Sequence, residues 1–417
     1  EPSRTEDLAS RFGTPLYVYD LDVVSERVAA LRDALPPHFD LAYAVKANPS
    51  LAVLAHLSGL GVGGDVASGG ELEAVLRAGI APERVIFTGP AKRDDELARA
   101  VVAGLRAITV ESPGELERVA ALAREAGRRV PVLLRSSTGG GTSGSIIATA
   151  GFDKFGMVPA DLARAARFGA DHPELELLGV HAFGASNVRD AEQLVEHVRA
   201  TVELGARLLG EVGVPLRLVD VGGGLGIPYA DDEAPLDLDA LAGGLAALER
   251  DWAADPALAD VRLLFEPGRF LLGPAGAYLT RVLDVKAAPQ GSVALVDGGV
   301  HHLLRPALVG QEQRLLLLAS DAGRREVEQI GVAGPLCTGV DRFSVGAALP
   351  APRRGDLLAV LDCGAYGYSE SMPFFLSHPT PPEVVLRGGE AFLARPRLDP
   401  SELLDRQLVP PALAPAW

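Results

Sequence analysis

The sequence predicts an α/β protein: a TIM-like (β/α)8 barrel followed by a C-terminal all-β domain. Three observations predict it. Across residues 25–272 short apolar strands alternate with amphipathic helical stretches eight times, over roughly the 250 residues such a barrel uses. After Leu272 the long helices stop, and strand-like runs follow one another between Gly, Pro and Asp turns. Near the start, Pro15-Leu16-Tyr17-Val18-Tyr19 alternates like a strand and is expected to join the second domain. The expected division is therefore residues 25–272 for the barrel, and residues 1–24 with 273–417 for the β-domain. A doubly wound open sheet is the competing arrangement.

Taken in order, Thr5–Phe12 reads as a helix and the strand after it closes at Asp20. Barrel strands are expected at Leu41–Val45, Val62–Val66, Arg84–Phe87, Ala107–Val110, Val130–Leu134, Leu177–His181, Leu216–Val221 and Arg262–Phe265. Glu71–Ala78, Asp95–Ala103, Pro113–Ala126 and Asp190–Leu209 carry apolar residues at helical spacing between them. In the second domain, strands are expected at Gly276–Val285, Ser292–Val296, Leu315–Leu318, Leu357–Val360 and Ala391–Ala394. The Pro- and Ala-rich end from Pro410 reads as loosely held.

The 417 residues, 48% of them hydrophobic, provide for a large core. A formal charge of -16 argues against nucleic acid or an anionic membrane as partner. No apolar run reaches the length of a membrane span, and Glu1-Pro2-Ser3-Arg4 has no signal-peptide pattern. Cys337 and Cys363 form neither a disulfide framework nor a zinc spacing. A cytoplasmic protein is the expectation.

In a parallel barrel the chemistry sits where the strands end. Lys46 follows the first strand, in Ala42-Tyr43-Ala44-Val45-Lys46-Ala47-Asn48, and reads as a buried amine whose desolvation would make it a nucleophile. Asp65 ends the second strand, Phe183 and Ser186 follow the sixth, Gly222-Gly223-Gly224 follows the seventh, and Glu266-Pro267-Gly268-Arg269 follows the eighth. A glycine triplet is more often only a flexible turn. After a strand, and on the same rim as Arg269 and Lys46, it suits a phosphate. A phosphate site beside a nucleophilic lysine points to pyridoxal 5'-phosphate, with Glu266 as the partner of the ring nitrogen and Phe183 as a ring to stack on the pyridine face.

These residues resemble the barrel-fold (fold-type III, alanine racemase-like) pyridoxal-phosphate decarboxylases that include diaminopimelate and ornithine decarboxylases. The resemblance runs through Tyr43–Asn48, Lys154-Phe155-Gly156, Asp220–Gly224, Glu266–Arg269, Gly334-Pro335-Leu336-Cys337 and Gly364-Ala365-Tyr366-Gly367. It implies that Lys46 carries the cofactor, that Glu266 pairs with the ring nitrogen, and that Gly222, Gly223, Gly224, Arg269, Ser186 and Tyr366 hold the phosphate. Asp65 and Gly268 belong to the same expected cofactor site. The resemblance further implies a homodimer with shared sites, in which Cys337 reaches the neighbouring subunit's site as proton donor and Lys154 and Asp341 bridge the subunits.

Departures from the family pattern bear on the substrate. Decarboxylases of basic amino acids have an acid after the cysteine, to meet a distal ammonium; here Thr338 follows. The stacking position that is usually histidine is Phe183. Phe374–Pro381 replaces an arginine-rich segment, and Gly139–Thr149 is rich in Gly, Ser and Thr. These features, with Asp297–His302 and His378-Pro379-Thr380-Pro381, resemble the decarboxylases of secondary metabolism that act on an aminoacyl group tethered to a carrier protein, the butirosin-pathway type. An acidic carrier would need a basic patch, for which Arg324-Arg325 and Arg353-Arg354 are candidates.

The expected activity is thus decarboxylation at Cα of an L-amino acid tethered to a carrier protein in natural-product biosynthesis. The alternative is a free amino acid such as meso-diaminopimelate. Arg305 is the candidate for a substrate anion, and His301 with His302 for the entrance. Two adjacent histidines without a third ligand give little support for a metal. A racemase would need a weaker electron sink than Glu266 provides, and a non-catalytic regulator would have no use for Lys46, Glu266, Arg269 and Cys337 together.

Overall fold

The computed structural model describes residues 2–137, 154–289, 291–310 and 312–413; the Gly139–Thr149 segment lies outside them. The chain divides into two compact units, Leu21–Pro274 and Glu1–Asp20 with Ala275–Trp417. No helix among the described residues is long and apolar enough to cross a membrane.

In the first unit, strands Phe39–Ala44, Gly63–Val66, Val85–Phe87, Ala107–Val110, Val130–Arg135, Leu175–His181, Leu218–Asp220 and Arg262–Phe265 pair in parallel and close into a barrel. Phe39–Ala44 closes the ring by pairing with Arg262–Phe265, so the open-sheet alternative falls. The interior is filled by Ala42, Ile86, Ala107, Leu133, Leu218 and Leu264, small and branched side chains contributed by different strands. Local sequence signs the outer helices. Ser68, Ser112, Asp190 and Asp237 stand at N-caps and accept hydrogen bonds from backbone N–H groups of the first turn. The 20-residue helix Ala191–Gly210 then buries Leu194, Val198, Val202, Gly205 and Leu209, one stripe at three- and four-residue steps.

The second unit is a mixed sheet. Its first strand comes from the chain start: Leu16–Asp20 pairs antiparallel with Gly276–Ala288 and parallel with Glu383–Arg387. Leu16, Val18, Leu279, Leu357, Val384 and Leu386 bury together there. Three strands escape the sequence reading: Val327–Ala333, Arg342–Pro350 and Glu383–Arg387. The first two pair with each other, yet they fully bury only two of seven and three of nine residues and carry Gly and charged residues, which erases the alternation on which strand recognition rests.

Candidate active site

Lys46 does not sit on the first barrel strand. That strand ends at Ala44, and Val45–Ala47 forms one 3-10 turn at its C-terminal end. The amine is not buried either: the side chain is 47% exposed, and its Nζ lies 3.6 Å from Asp65 Oδ2. The turn lifts the lysine off the strand, whereas its neighbours Val45 and Ala47 remain in the core. A reactive amine here would therefore owe its position to Asp65 more than to desolvation. Asp65 is itself 1% exposed and accepts a 2.5 Å hydrogen bond from Thr88 Oγ1 through its other oxygen.

Glu266 is buried, not a surface residue before a turn. It follows Phe265, the last residue of its strand, and its amide donates to Gly222 O at 2.8 Å. This bond ties the Glu266–Arg269 turn to the glycine loop. Gly268 faces the Lys46 turn so closely that a Cβ on it would lie 2.9 Å from Ala47 Cβ. Arg269 is buried and donates to the Tyr229 hydroxyl at 2.5 Å.

The glycine loop is built from backbone that other residues resist. Gly222 and Gly224 have φ of +68° and +99°. Gly223 is required for a different reason: a Cβ there would stand 2.5 Å from the Glu266 carbonyl oxygen. Gly222 N donates to Asp220 Oδ1, while the amides of Gly223 and Gly224 take no acceptor among the described residues. Two adjacent unused donors on a tight loop suit an anion. Phe183 lines this loop, its Cδ2 3.1 Å from where a Cβ on Gly222 would be, and Val188 N donates to Gly224 O, which draws the Ser186 loop alongside.

His181 escaped the sequence reading. It ends its strand, two residues before Phe183, and its register partner on the next strand is Asp220. The ligand atoms of His181, Asp220 and Glu266 lie within 4.8 Å of one another. Burial, together with the charge of Asp65, pushes Asp220 up to about 7, and burial with Asp220 and Asp65 raises Glu266 well above the carboxylate range. Burial, then the cations Arg135 and Lys46, holds His181 well below the usual histidine range. The signal that could have found it is the strand period: His181 and Phe183 are two apart and so share a side of the chain.

The rim is braced around these groups. Lys92 Nζ donates to Gly89 O, Thr109 O and Glu115 Oε1 at 2.7, 2.7 and 2.9 Å. Glu111 accepts from Arg135 at 2.6 Å and from the amides of Gly89 and Gly156. Buried charges fully paired in this way hold adjacent strand ends in register at the cost of desolvation.

The second unit holds the remaining candidates. Arg305 is 8% exposed, donates to Glu370 Oε2 at 2.8 Å and stacks its guanidinium 4.8 Å from the Tyr366 ring centroid. Tyr366 adopts a left-handed φ of +56°. Cys337 is exposed, and Cys363 is the buried thiol. Asp341 braces the Cys337 loop from inside: its oxygens accept from Val300 N and Leu336 N at 2.8 and 2.6 Å. Thr338 lies in that loop, half-buried.

Two expectations need correction in this unit. His301 and His302 do not line an entrance. They are 0% and 1% exposed, their ring centroids 3.7 Å apart at a tilt of 46°, and His302 is held by Tyr278 and by the Pro379 carbonyl. The paired arginines are free cations only in part: Arg325 is bound by Asp321 and Asp356 and Arg353 by Asp321, while Arg324 and Arg354 are exposed.

The residues present fit pyridoxal phosphate. Asp65 Oδ2 and Glu266 Oε1 are buried without a hydrogen bond among the described residues, and the glycine loop offers two amides on the same rim. The family described as pyridoxal-dependent decarboxylase, pyridoxal binding domain, matches residues 21–273. A diaminopimelate decarboxylase of Methanothermobacter thermautotrophicus is 35% identical over 410 residues, covering 98% of this chain and 94% of that protein. The L-glutamyl-[BtrI acyl-carrier protein] decarboxylase of Niallia circulans is 32% identical over 414 residues, covering 96% and 95%. The crystal structure of diaminopimelate decarboxylase from M. jannaschii in complex with L-lysine superposes with a TM-score of 0.90 at 28% identity, covering 98% of this chain and 95% of that one. With this barrel, this β-domain and these relatives over almost its whole length, the chain belongs to the pyridoxal-dependent amino acid decarboxylases and uses pyridoxal 5'-phosphate.

Proposed function

We propose that the protein decarboxylates a free amino acid whose far end carries both an ammonium and a carboxylate, the chemistry of diaminopimelate. The observation that carries this is the Arg305–Glu370 pair. Arg305 Nε is buried without a hydrogen bond among the described residues, while Glu370 remains 26% exposed. One cation with a donor to spare beside one accessible anion is complementary to a zwitterionic end.

Bound pyridoxal phosphate supplies the electron sink for the pair released when the α-carboxylate leaves. The chain's own residues do the rest. Lys46 holds the cofactor and is itself steadied by Asp65. Glu266 keeps a carboxylate against the ring nitrogen, and Phe183 covers a ring face. Gly222, Gly223, Gly224, Ser186, Gly268, Arg269 and Tyr366 hold the phosphate. Cys337, exposed on its loop, returns a proton to Cα, in a homodimer whose two chains share sites.

A second reading, an aminoacyl group tethered to a carrier protein in natural-product biosynthesis, is favoured by Thr338, which puts a neutral hydroxyl where an acid would meet a distal ammonium. The Niallia relative supports it too.

Carbon dioxide release from cofactor-loaded protein separates the two. Release from free meso-diaminopimelate and not from carrier-bound glutamate supports the first reading; the opposite pattern replaces it with the second. Release from neither, with cofactor bound, removes both.

A further inference from the structure

The floor of the site, at the C-terminal ends of the strands, holds more buried acceptors than donors. Asp220 Oδ2, Glu266 Oε1 and both ring nitrogens of His181 are buried without a hydrogen bond among the described residues, and none of the three residues is more than 3% exposed. Consecutive barrel strands deliver them: His181 lies opposite Asp220, and Asp220 opposite Leu264, two residues before Glu266. Two carboxylates this close in a water-excluded site cannot both ionise unless a cation is set against them, and a buried oxygen without a donor is costly.

We propose that Asp220 and Glu266 share one proton at neutral pH, with His181 neutral beside them, so that the floor carries one negative charge and keeps a proton ready for a ring nitrogen placed against Glu266. In that transfer the proton would leave a carboxyl oxygen of the pair and be bound by the lone pair of the nitrogen. The pair would gain one negative charge and the ring one positive charge, so the total would be unchanged and the ring's charge would be the cation that lets both carboxylates ionise. The existence of the shared proton is independent of the cofactor; its use by a ring rests on the cofactor reading above. Asp220 is thus a positioning residue acting through Glu266.

The charges around the pair favour one negative charge over two. Asp65, buried next to it, opposes a second anion; Lys46 and Arg106 offset a single one. His197 and Lys92 add to the field that keeps His181 neutral.

The test is carboxyl 13C NMR on cofactor-free, chelator-dialysed protein labelled at Asp and Glu side chains. The wild type is expected to keep one carboxyl signal in its protonated position at pH 6, where exposed carboxylates are ionised. Asp220→Asn and Glu266→Gln should each abolish it, and two variants guard against one failing to fold. The second readout is the absorption band of bound pyridoxal phosphate: its pH midpoint should move by a unit or more in Asp220→Asn. All carboxyls titrating below pH 5 overturns the proposal, as does a divalent cation retained at one per chain and held by His181, Asp220 and Glu266. A protonated carboxyl in a protein that fails to bind pyridoxal phosphate leaves the shared proton standing and removes the cofactor reading instead.

Discussion

Thr88 and Asp65 are joined by a 2.5 Å hydrogen bond that occupies Asp65 Oδ1 and leaves Oδ2 facing Lys46. The exposed lysine is thereby positioned from two strands away, by a hydroxyl just beyond Val85–Phe87. Thr88→Val should weaken pyridoxal phosphate binding about fivefold, the worth of about 1 kcal/mol for one lost hydrogen bond. Cofactor titration followed by absorbance measures it, and unchanged affinity would show that Asp65 needs no such support.

Lys46→Ala should abolish covalent trapping of the cofactor by borohydride and lower kcat by about three orders of magnitude or more, as loss of a nucleophile does. Mass spectrometry of the reduced protein reads the adduct. An adduct that survives on another lysine would contradict the assignment.

Gly223→Ala forces a Cβ against the Glu266 carbonyl, where the undisturbed distance would be 2.5 Å. A cost of about 1–3 kcal/mol is expected from displacing backbone in a packed site. Urea denaturation gives the stability loss. Phosphate-dependent cofactor binding should fall with it, which a comparison of pyridoxal with pyridoxal phosphate would reveal.

Arg305→Ala should raise KM for a substrate with a zwitterionic far end about tenfold or more, with a smaller effect on kcat, if the pair with Glu370 meets the end remote from the reaction as proposed. Equal loss for every substrate would place Arg305 in support of Tyr366 instead.

His301 gives the protein an acid limit. Burial, with His378 nearby, lowers it from 6.5 to about 4. A base depressed in the folded state gains its proton first in the unfolded chain, so stability is full above pH 6.5 and falls as the pH drops toward about 4. Asp220 acts at the other side. Raised from 3.8 to about 7, it contributes stability that is full below pH 3.8 and lost as the pH rises through about 7. Melting curves of His301→Gln and Asp220→Asn across pH 4–8 should each flatten one arm.

The barrel was legible along the chain because its signal is local. Strand-length apolar runs, helices signed by Ser112 or Asp190, and polar groups placed just after strands all follow from period and turn chemistry. Lys46, Gly222–Gly224, Glu266 and Arg269 could be singled out that way, since each comes soon after a strand's end. Val327–Ala333 and Arg342–Pro350 could not, because half-exposed strands with glycine and charge lack a buried face to write a pattern.

Tertiary structure alone decided the electrostatics. His181, Asp220 and Glu266 lie about forty residues apart and meet because their strands are neighbours in a closed ring. Nothing in their own segments states that they share one water-excluded volume. The same holds for Lys46, which its segment presents as buried and the rim turn exposes beside Asp65. Period and turn chemistry are read within a few residues; desolvation and charge coupling depend on what packs across the barrel, and that exists only once the ring has closed.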